Sequence, residues 1–453
     1  MDTKKSSSSS KPSHKQVECT AIYLYTLFSF FFLLTFQSLT ITNTSTTTTT
    51  SFSYHPLNFH PLKDTKIPPY KHPNKTWFMS TLSGKAINGM PEHFVFPSDH
   101  QHPKNNNKIL CISPRNKSYA FTTDHHLPEN STAVLPGLTF IADSFYDYEN
   151  PWHGMNAVAG FFAWMKENEC KKPSRFLLFK NGEVVKRVGS WVYNLMKVGL
   201  GEEVVLERLE GSNTDHRDHI VCFEKVVMMR RGLGGMSGMM RHGLFEMLRC
   251  KAWRYCNGSN SGNGRRGMIK ISLVGREGKK RGFKDENGVK YVMKKECDKL
   301  DGCSFSFIRF TSNMSFCDQV RIMRNTNILA TTHGAQLTNM MFMQKGSSVM
   351  EMFPTGWLEA AGVGQFIYHW FASWSEMRHE GAWRDNNGFN CSGTPFINKT
   401  RSACFAMQKD QQVGVNVTYL ASWLTKVIHH HINSTRLVDE SMSHKSSMPC
   451  SCD

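Results

Sequence analysis

The stretch that decides the fold is residues 327–339, NILATTHGAQLTN. Its apolar and β-branched residues 328–332 are enough for one buried strand, and they end at His333 and Gly334, where a helix begins. Strand, turn and helix in this order leave the first backbone amides of the helix exposed, and such amides bind anionic oxygens. The stretch therefore predicts a phosphate-binding turn. A purely structural turn around a satisfied histidine is the alternative.

The same alternation of strands and helices extends to both sides of this turn. Strands are predicted at 94–96, 108–112, 133–135, 138–142, 175–180, 219–229, 269–274, 305–310, 328–332 and 348–353. Helices are predicted at 154–166, 191–196, 238–255, 289–299 and 317–325, and from 336 onward. Strands that alternate with helices over short connections are typical of parallel α/β units. The second half has the outline of a nucleotide-binding α/β domain.

The N-terminus predicts a membrane anchor. Lysines precede the uncharged residues 19–41. The apolar part, Ala21 to Ile41, would be roughly 31 Å long as a helix at about 1.5 Å per residue, which is one hydrocarbon thickness. The positive-inside rule then predicts a cytosolic tail at 1–18, a single transmembrane signal-anchor at 19–41, and a body outside the cytosol. A cleaved signal peptide is the alternative, but the small-residue cleavage site typical of one is not found.

The body is predicted to have two α/β domains. A Thr-, Ser- and Pro-rich flexible stem covers 42–75, and the N-terminal α/β domain covers 76–256. Residues 257–267 contain only Asn, Gly, Ser and Arg and form a linker loop. The C-terminal α/β domain covers 268–435, and the last residues, 436–453, have little apolar content and are predicted to be a flexible tail.

Glycosylation motifs and cysteines agree with a body outside the cytosol. Asn-x-Ser/Thr sequons recur along the chain, at Asn74, Asn313 and Asn416 among others, and such sites are modified in the secretory pathway. Of the 13 cysteines, all but Cys19 lie beyond the anchor, and their even number suits disulfides. Neighbouring candidates are Cys250 with Cys256, Cys297 with Cys303 and Cys391 with Cys404. None of these has the Cys-x-x-Cys spacing of a zinc site.

Composition and charge exclude several classes and indicate an anionic ligand. The 453 residues are 40% hydrophobic and 20% charged, which excludes a collagen-like, coiled-coil or generally disordered chain. The net charge is +17, and residues 225–295 alone hold 18 Lys and Arg against four acidic residues. A solvated basic face is one interpretation, and a nucleic-acid surface would need a cytosolic or nuclear body. A diphosphate cleft is the functional interpretation, with Arg276 at a strand end as its best candidate.

Several strings together resemble the signature of glycosyltransferase family 61. They are His333 to Asn339 with Glu351 to Pro354 behind it, Gly235-Met236-Ser237, Leu248 to Ala252, and Gln319, within a similarity from about Phe140 to Trp374. The family includes plant β-1,2-xylosyltransferases, xylan arabinosyl- and xylosyltransferases, and animal O-linked N-acetylglucosaminyltransferases. The resemblance implies a GT-B-like α/β fold of two facing Rossmann-like domains, with the sugar nucleotide in the C-terminal one.

The resemblance also implies roles for the residues around the turn. The implied nucleotide-phosphate turn consists of His333, Gly334, Ala335, Leu337, Thr338 and Asn339. Arg276 and Arg281 would neutralise the diphosphate, and Glu351 would accept hydrogen bonds from the ribose. Gln336 replaces the commoner Gly of the signature, which we expect to alter donor choice rather than destroy binding.

The N-terminal half departs from the family pattern at the expected base. The string Asp147 to Ala157 resembles a segment in which a carboxylate follows the histidine by four residues, and here that position is Ala157. We therefore expect His153 to be the base, with Asp147 or Glu149 as orienting partner. A structural role for His153 is the alternative. Asp143 and Asp147 could also be considered for a metal, but no metal site is predicted.

The leading hypothesis is an inverting glycosyltransferase that moves xylose, arabinose or N-acetylglucosamine from a UDP-sugar to a glycan or glycoprotein. The alternative, motivated by Ala157, is a catalytically weakened transferase-like protein that binds glycans or assists assembly. No cofactor is expected to be required, because the UDP-sugar is the co-substrate, and divalent-metal dependence stays open. The expected location is the Golgi or endoplasmic-reticulum membrane, single-pass type II with a lumenal body. The membrane is contacted through the anchor, and no nucleic acid is expected as partner.

Overall fold

The protein was analysed as a computed structural model. It describes residues 92–95, 109–115, 118–124, 131–144, 146–180, 183–185, 187–202, 205–206, 220–230, 236–257, 268–357, 361–385, 408–439 and 450–452. All of these lie in one compact unit, residues 58–453. The predicted cytosolic tail, membrane anchor and stem lie outside the described residues. Among the helices that are described, none combines the length and apolar character needed to cross a membrane.

The first sheet is mixed rather than parallel. Its described strands are β1 (Glu92–Val95), β2 (Ile109–Arg115), β3 (Ser118–Asp124), β4 (Ser131–Ser144), β5 (Arg175–Lys180), β6 (Glu183–Val184), β7 (Val205–Leu206) and β8 (Ile220–Arg230). The order is β3-β2-β8-β4-β5-β6, with β1 also paired to β8 and β7 to β5. Central strand β4 is parallel to β5 and β8, whereas β2 is antiparallel to β3 and β8. The parallel α/β units predicted from the sequence are therefore found around β4, whereas the edge formed by β2 and β3 is antiparallel.

Helix α1 (Pro151–Glu167) packs against the first sheet, and helices α2 (Ser190–Leu200) and α3 (Gly238–Asn257) pack against α1. Helix α1 begins where the side chain of Asn150 accepts hydrogen bonds from the amides of Trp152 and His153, and Pro151 occupies its first turn. Most of α1 is buried, because it packs against β4 on one side and other helices on the others. Its sequence is accordingly apolar around nearly the whole circumference.

The second sheet has five parallel strands in the order β10-β9-β11-β12-β13. They are β9 (Ile269–Gly275), β10 (Cys303–Arg309), β11 (Ile328–Thr332), β12 (Ser348–Phe353) and β13 (Arg378–Arg384). In chain order this is the 2-1-3-4-5 arrangement of a doubly wound sheet. Every residue of β11 and β12 is buried, which explains why apolar and β-branched residues predominate in both, with Ser348 and Glu351 as the polar exceptions in β12.

The helices of the second half are α4 (Glu286–Cys297), α5 (Phe316–Arg324), α6 (Ile367–Trp374) and α7 (Val417–Asp439). The helix expected after the phosphate-binding turn is a 3-10 helix, Ala335–Phe342. Strand β13 and helix α7 were not predicted from the sequence. Strand β13 holds three charged side chains, a histidine and a glycine in seven residues, so it lacks the apolar pattern of a buried strand.

The two sheets share one hydrophobic core. Phe140 of β4, Phe161 of α1, Phe245 of α3 and Phe342 of the 3-10 helix all belong to one buried cluster. A second cluster lies between the second sheet and helices α4 and α7. Helix α3 is also joined to the second half by polar and covalent links. The indole Nε1 of Trp253 donates to the Phe342 carbonyl at 2.7 Å, and Cys256 of α3 is bonded to Cys317 of α5.

Disulfides connect distant parts of the described chain. The pairs are Cys111–Cys222, Cys170–Cys452, Cys250–Cys450, Cys256–Cys317 and Cys297–Cys303. The prediction for Cys297 with Cys303 is confirmed, and that for Cys250 with Cys256 is wrong. Cys391 and Cys404 lie outside the described residues. The described residues of the predicted flexible tail, 436–453, have fixed positions. Helix α7 extends to Asp439, and Cys450 and Cys452 each form a disulfide.

Candidate active site

The carboxyl ends of the second sheet bring the predicted donor-site residues together. Strand β9 lies between β10 and β11, so the chain leaves β9 in one direction for β10 and returns on its other side for β11. A ligand crevice forms at such a switch point, outside the carboxyl ends of the strands. Arg276 directly follows β9, and His333 and Gly334 directly follow β11.

Two guanidinium groups converge on the peptide between His333 and Gly334. Nη1 of Arg281 donates to the carbonyl oxygen of His333 at 3.4 Å. The Arg276 guanidinium lies so close to Gly334 that a Cβ at this position would overlap Nη1. The backbone of Gly334 is extended, so glycine is needed here for space rather than for an unusual φ. Gly334 therefore allows Arg276 to approach the turn.

Arg276 forms no ion pair with a carboxylate among the described residues, although the charge of Asp410 acts on it from a distance. Within the described part of the chain its Nε also has no hydrogen-bond partner. Burial, together with the charge of Arg281, lowers the pKa of Arg276 to about 10. Arg281 is better compensated, because its Nε lies 3.4 Å from Oδ1 of Asp410. Burial still lowers the pKa of Arg281, against the opposing effect of Asp410. The turn is thus a region of excess buried positive charge.

Gln336 fixes the orientation of Arg276. Its Oε1 accepts a hydrogen bond from Nη1 of Arg276 at 3.0 Å. Its Nε2 donates to Oγ1 of Thr331 at 2.9 Å and to the carbonyl of Thr332 at 3.3 Å. A glycine at position 336 could make neither contact. The departure from the family signature therefore adds a side chain that holds one of the two guanidinium groups.

The imidazole of His333 is fixed by a buried carboxylate. Nδ1 of His333 lies 2.5 Å from Oε1 of Glu351 in the neighbouring strand β12, and Glu351 is 0% exposed. The second oxygen of Glu351 lies 2.8 Å from Nε2 of His379 in β13. Both oxygens are therefore engaged, and the ribose contact expected for Glu351 would require this arrangement to open. Among the described residues, Nε2 of His333 has no hydrogen-bond partner.

Aromatic rings enclose the His333 imidazole. The Phe353 ring stacks on it at 4.7 Å, and the Trp357 and Tyr368 rings lie 4.1 and 5.2 Å away between centroids. These rings exclude water, so burial lowers the pKa of His333, with the Glu351 carboxylate acting in the opposite direction. Burial would raise the pKa of Glu351, but hydrogen bonds from His333 and His379 outweigh it and lower that pKa. The resulting state is a neutral imidazole against an ionised carboxylate.

The remaining residues of the predicted phosphate-binding turn serve packing more than the crevice. Leu337 and Thr338 are fully buried, and Ala335 packs against the shared core. Asn339 connects the two halves. Its Oδ1 accepts from the Trp191 indole of α2 at 2.8 Å, and its Nδ2 donates to Gln319 of α5 at 3.1 Å.

The predicted general base, His153, and its predicted partner Asp147 lie at the start of α1. Nδ1 of His153 is 3.7 Å from Oδ2 of Asp147, and the two side chains are 18% and 48% exposed. The other oxygen of Asp147 accepts from the amides of Glu149 and Asn150 at 3.1 and 2.8 Å, which fixes the carboxylate in a local turn. Asp147 is therefore placed beside His153, whereas the exposed side chain of Glu149 is not brought to it in any recorded contact.

The environment of this second pair also shifts its titration. Burial lowers the pKa of His153, and Asp147 opposes that shift. For Asp147, burial would raise the pKa, but the amide of Asn150 and the charge of His153 lower it overall. The Tyr146 ring lies 4.3 Å from the His153 ring and supplies part of the apolar surface. His153 is thus neutral near neutral pH, which a general base requires.

A chain of aromatic contacts connects the two histidine regions. Trp152, which precedes His153, lies 5.2 Å from the Tyr368 ring of α6, and Tyr368 lies 5.2 Å from the His333 ring. The beginning of α1 therefore packs beside the carboxyl ends of the second sheet. Ala157, one turn further along α1, is 6% exposed within the shared core. A carboxylate at that position would be buried in this chain.

The described residues do not form a recognisable metal site. In the ranges that the structure describes, no group of three His, Cys, Asp or Glu side chains is arranged to hold a metal ion. The expectation that no metal cofactor is required stays a prediction.

Two features of the site were not predicted from the sequence: the contact of His379 with Glu351, and the contacts of Trp357 and Tyr368 with His333. His379 lies on β13, an element without an apolar pattern, so nothing in the sequence connected it to Glu351. Aromatic stretches such as those around positions 357 and 368 can stack on a sugar but more often form core. They are buried, and they also contact His333. The signal available in the sequence was only their position shortly after β12.

Comparisons with known proteins identify the family of this chain. The profile described as Glycosyltransferase 61 matches residues 60–350, more than half of the chain. The protein O-linked-mannose beta-1,4-N-acetylglucosaminyltransferase 2 of Xenopus laevis is 48% identical over 42 residues, which are 9% of this chain and 7% of that protein. The mixed α/β fold with a parallel second sheet is consistent with a Rossmann-like glycosyltransferase. This chain belongs to glycosyltransferase family 61.

Proposed function

We propose that this glycosyltransferase is an inverting enzyme of GT-B-like architecture that uses a UDP-sugar. The observation that carries the proposal is the pair of partly buried guanidinium groups at the His333–Gly334 peptide, at the switch point of a parallel sheet. Arg276 has no carboxylate partner within the described residues, so an anionic ligand would restore its electrostatic balance. A diphosphate carries enough negative charge to serve both cations.

The geometry favours particular roles on the donor side. Arg276 and Arg281 would bind the diphosphate, and Gln336 would keep Arg276 aimed at it. His333 would place Nε2 towards the departing phosphate oxygen, while Nδ1 stays bound to Glu351. A bound diphosphate would raise the proton affinity of His333, because the negative charge stabilises an imidazolium. We therefore assign Glu351 to orienting His333 rather than to holding the ribose.

On the acceptor side we propose His153 as the general base. In the step, Nε2 of His153 takes the proton of the acceptor hydroxyl as that oxygen bonds to the anomeric carbon. The bond from the anomeric carbon to the phosphate oxygen breaks, and UDP leaves with the electron pair. Attack opposite to the leaving group inverts the anomeric configuration. Asp147, on the Nδ1 side, would orient the ring and stabilise its positive charge.

The donor and acceptor classes follow from the family. We propose UDP-xylose, UDP-arabinose or UDP-N-acetylglucosamine as donor, a glycan or glycoprotein as acceptor, and no required metal cofactor. We further propose a Golgi or endoplasmic-reticulum location with the predicted anchor at 19–41 and a lumenal body. The sequon residues Asn313 and Asn416 are exposed, and the five disulfides suit an oxidising compartment.

The test is donor binding by the full-length protein. Calorimetry with UDP and with each UDP-sugar should detect binding, and Arg276→Ala should weaken UDP affinity by about ten- to a hundredfold, since one charge-assisted contact is lost. Lys345→Ala, which removes a surface cation paired with Glu246 and Glu376, is the matched control. Absence of UDP binding by the wild-type protein would contradict the donor assignment. Binding without transfer or hydrolysis would favour the glycan-binding alternative.

A further inference from the structure

The starting observation is a row of three side chains across adjacent strands. His333 follows β11, Glu351 lies in β12 and His379 lies in β13. Glu351 is fully buried, and its two oxygens contact Nδ1 of His333 at 2.5 Å and Nε2 of His379 at 2.8 Å. A carboxylate can only accept hydrogen bonds, so each imidazole donates to it. The proton on Nδ1 leaves Nε2 of His333 as the free nitrogen.

We propose that His379 is a positioning residue, which holds Glu351 so that the carboxylate keeps His333 in the orientation and tautomer used by the transferase reaction. The proposal rests on the proposed function, because His333 acts there on the departing phosphate. His379 itself need not touch either substrate. It acts through Glu351, in the way that an outer hydrogen-bond partner fixes a catalytic histidine.

The physical reason is the cost of an unsatisfied buried oxygen. Without His379, one oxygen of a carboxylate with no solvent exposure would lose its donor. Glu351 would then rotate or hold its proton more tightly, and either change alters the hydrogen bond to His333. The neighbouring elements contribute the following titratable or charged groups: His369 and Tyr368 of α6, and Arg276 and Arg281 after β9. None of these donates a recorded hydrogen bond to Glu351 in place of His379.

The first experiment needs no ligand. Exchange of the imidazole C2 proton, followed residue by residue by mass spectrometry, gives the titration of His333 in the full-length protein. In His379→Ala the His333–Glu351 pair should take up its proton at a higher pH, because the carboxylate has lost one of its two donors. His379→Gln can still donate from an amide and should restore the wild-type titration. Unchanged titration in a folded His379→Ala protein would overturn the proposal.

A matched control lies on the same strand. Nδ1 of His430, on α7, contacts Oε2 of Glu380, the residue after His379, at 3.0 Å. His430→Ala also removes a histidine–carboxylate hydrogen bond from β13. It should leave the titration of His333 unchanged, whereas a shift equal to that of His379→Ala would mean a general loosening of the strand and would overturn the positioning role.

The second experiment measures turnover. With any UDP-sugar that the wild-type protein hydrolyses or transfers, His379→Ala should lower kcat about tenfold, and KM for the donor should change less. His379→Gln should recover most of this loss. Equal kcat in wild type and His379→Ala would overturn the proposal. Failure of the wild-type protein to bind UDP would instead defeat the proposed function, and the ligand-free titration would still decide whether His379 positions His333.

Discussion

The candidate active site contains two histidine–carboxylate pairs, which differ in separation, in burial and in position in the fold. His333 and Glu351 are 2.5 Å apart with side-chain exposures of 5% and 0%. His153 and Asp147 are 3.7 Å apart with exposures of 18% and 48%. The first pair joins the end of β11 to the neighbouring strand β12, and the second joins the turn before α1 to the first turn of that helix. The same two residue types, a histidine and a carboxylate, thus form one tight buried pair and one looser, partly exposed pair.

The difference indicates a division of work. In the buried pair, Nδ1 of His333 and both oxygens of Glu351 are hydrogen-bonded, which leaves Nε2 of His333 in a fixed position. A fixed group of this kind suits the proposed donor binding. A half-exposed pair with a longer separation leaves room for a hydroxyl group to enter and for the ring to change protonation state. In both pairs burial lowers the histidine pKa, so both imidazoles are neutral when the site is empty. The following predictions test this contrast.

The largest effect is expected for His153→Ala. Loss of a general base lowers kcat by about 10²–10⁴-fold. UDP affinity should stay at the wild-type value, because His153 is not part of the guanidinium site. The measurement is steady-state transfer together with UDP calorimetry. An unchanged kcat would assign His153 to structure alone, and a lost UDP affinity would contradict the separation of the two pairs.

Glu351→Ala should have the largest effect on stability. Removing the carboxylate leaves two imidazole N–H groups without their acceptor, at a cost of about 1–3 kcal/mol for each. Thermal unfolding of Glu351→Ala should therefore begin well below that of wild type, whereas Asp147→Ala, in a half-exposed pair, should change stability by less than about 1 kcal/mol. Similar melting curves for both variants would refute the contrast in burial.

The pH dependence of turnover should report His153. Burial lowers the pKa of His153 below the ordinary histidine value of 6.5, so the neutral, active base persists into mildly acidic solution. The value of kcat/KM for the acceptor should rise with pH, reach half of its maximum below pH 6.5, and then level off. A midpoint above 6.5 would contradict this prediction. The acid limb should be absent from the residual activity of His153→Ala.

The smallest effect is expected for Asp147→Asn. The amide oxygen can still accept from the amides that Asp147 binds, so the turn before α1 should persist. Only the charge beside His153 is lost, and because the pair is half exposed, kcat should fall by no more than about tenfold. Glu169→Gln, which removes an exposed ion pair with Lys171, is the control and should have no effect on kcat. A loss as large as that of His153→Ala would show that Asp147 is essential.

Much of the donor side was accessible from the sequence. The turn after β11 was located because a continuous apolar run ends in His-Gly, and Arg276 was placed because it ends another such run. Parallel strands bring their carboxyl ends to one edge, so local patterns predict which side chains meet there. The role of Gly334 as the space for a guanidinium group could not be predicted, because it depends on a residue 58 positions earlier in the chain.

Other parts could not be inferred from local patterns. The disulfides Cys170–Cys452 and Cys250–Cys450 span 282 and 200 positions, and sequence neighbours misdirected the pairing of Cys250. Strand β13 lies at the edge of the second sheet, and its charged side chains give it no apolar pattern. The contacts of Asn339 could not be predicted for the same reason, because Trp191 and Gln319 are brought to it only by packing.

The amino-acid sequence by itself determined the α/β class, the turn at His333 and the family, because these depend on residues close together along the chain. Only the tertiary structure decided which carboxylate meets which histidine, since that depends on strand order and helix packing. Glu351 lies between His333 and His379 because β11, β12 and β13 are neighbours in one sheet. Burial then gives this pair a strength and a rigidity that the same residues would lack in water.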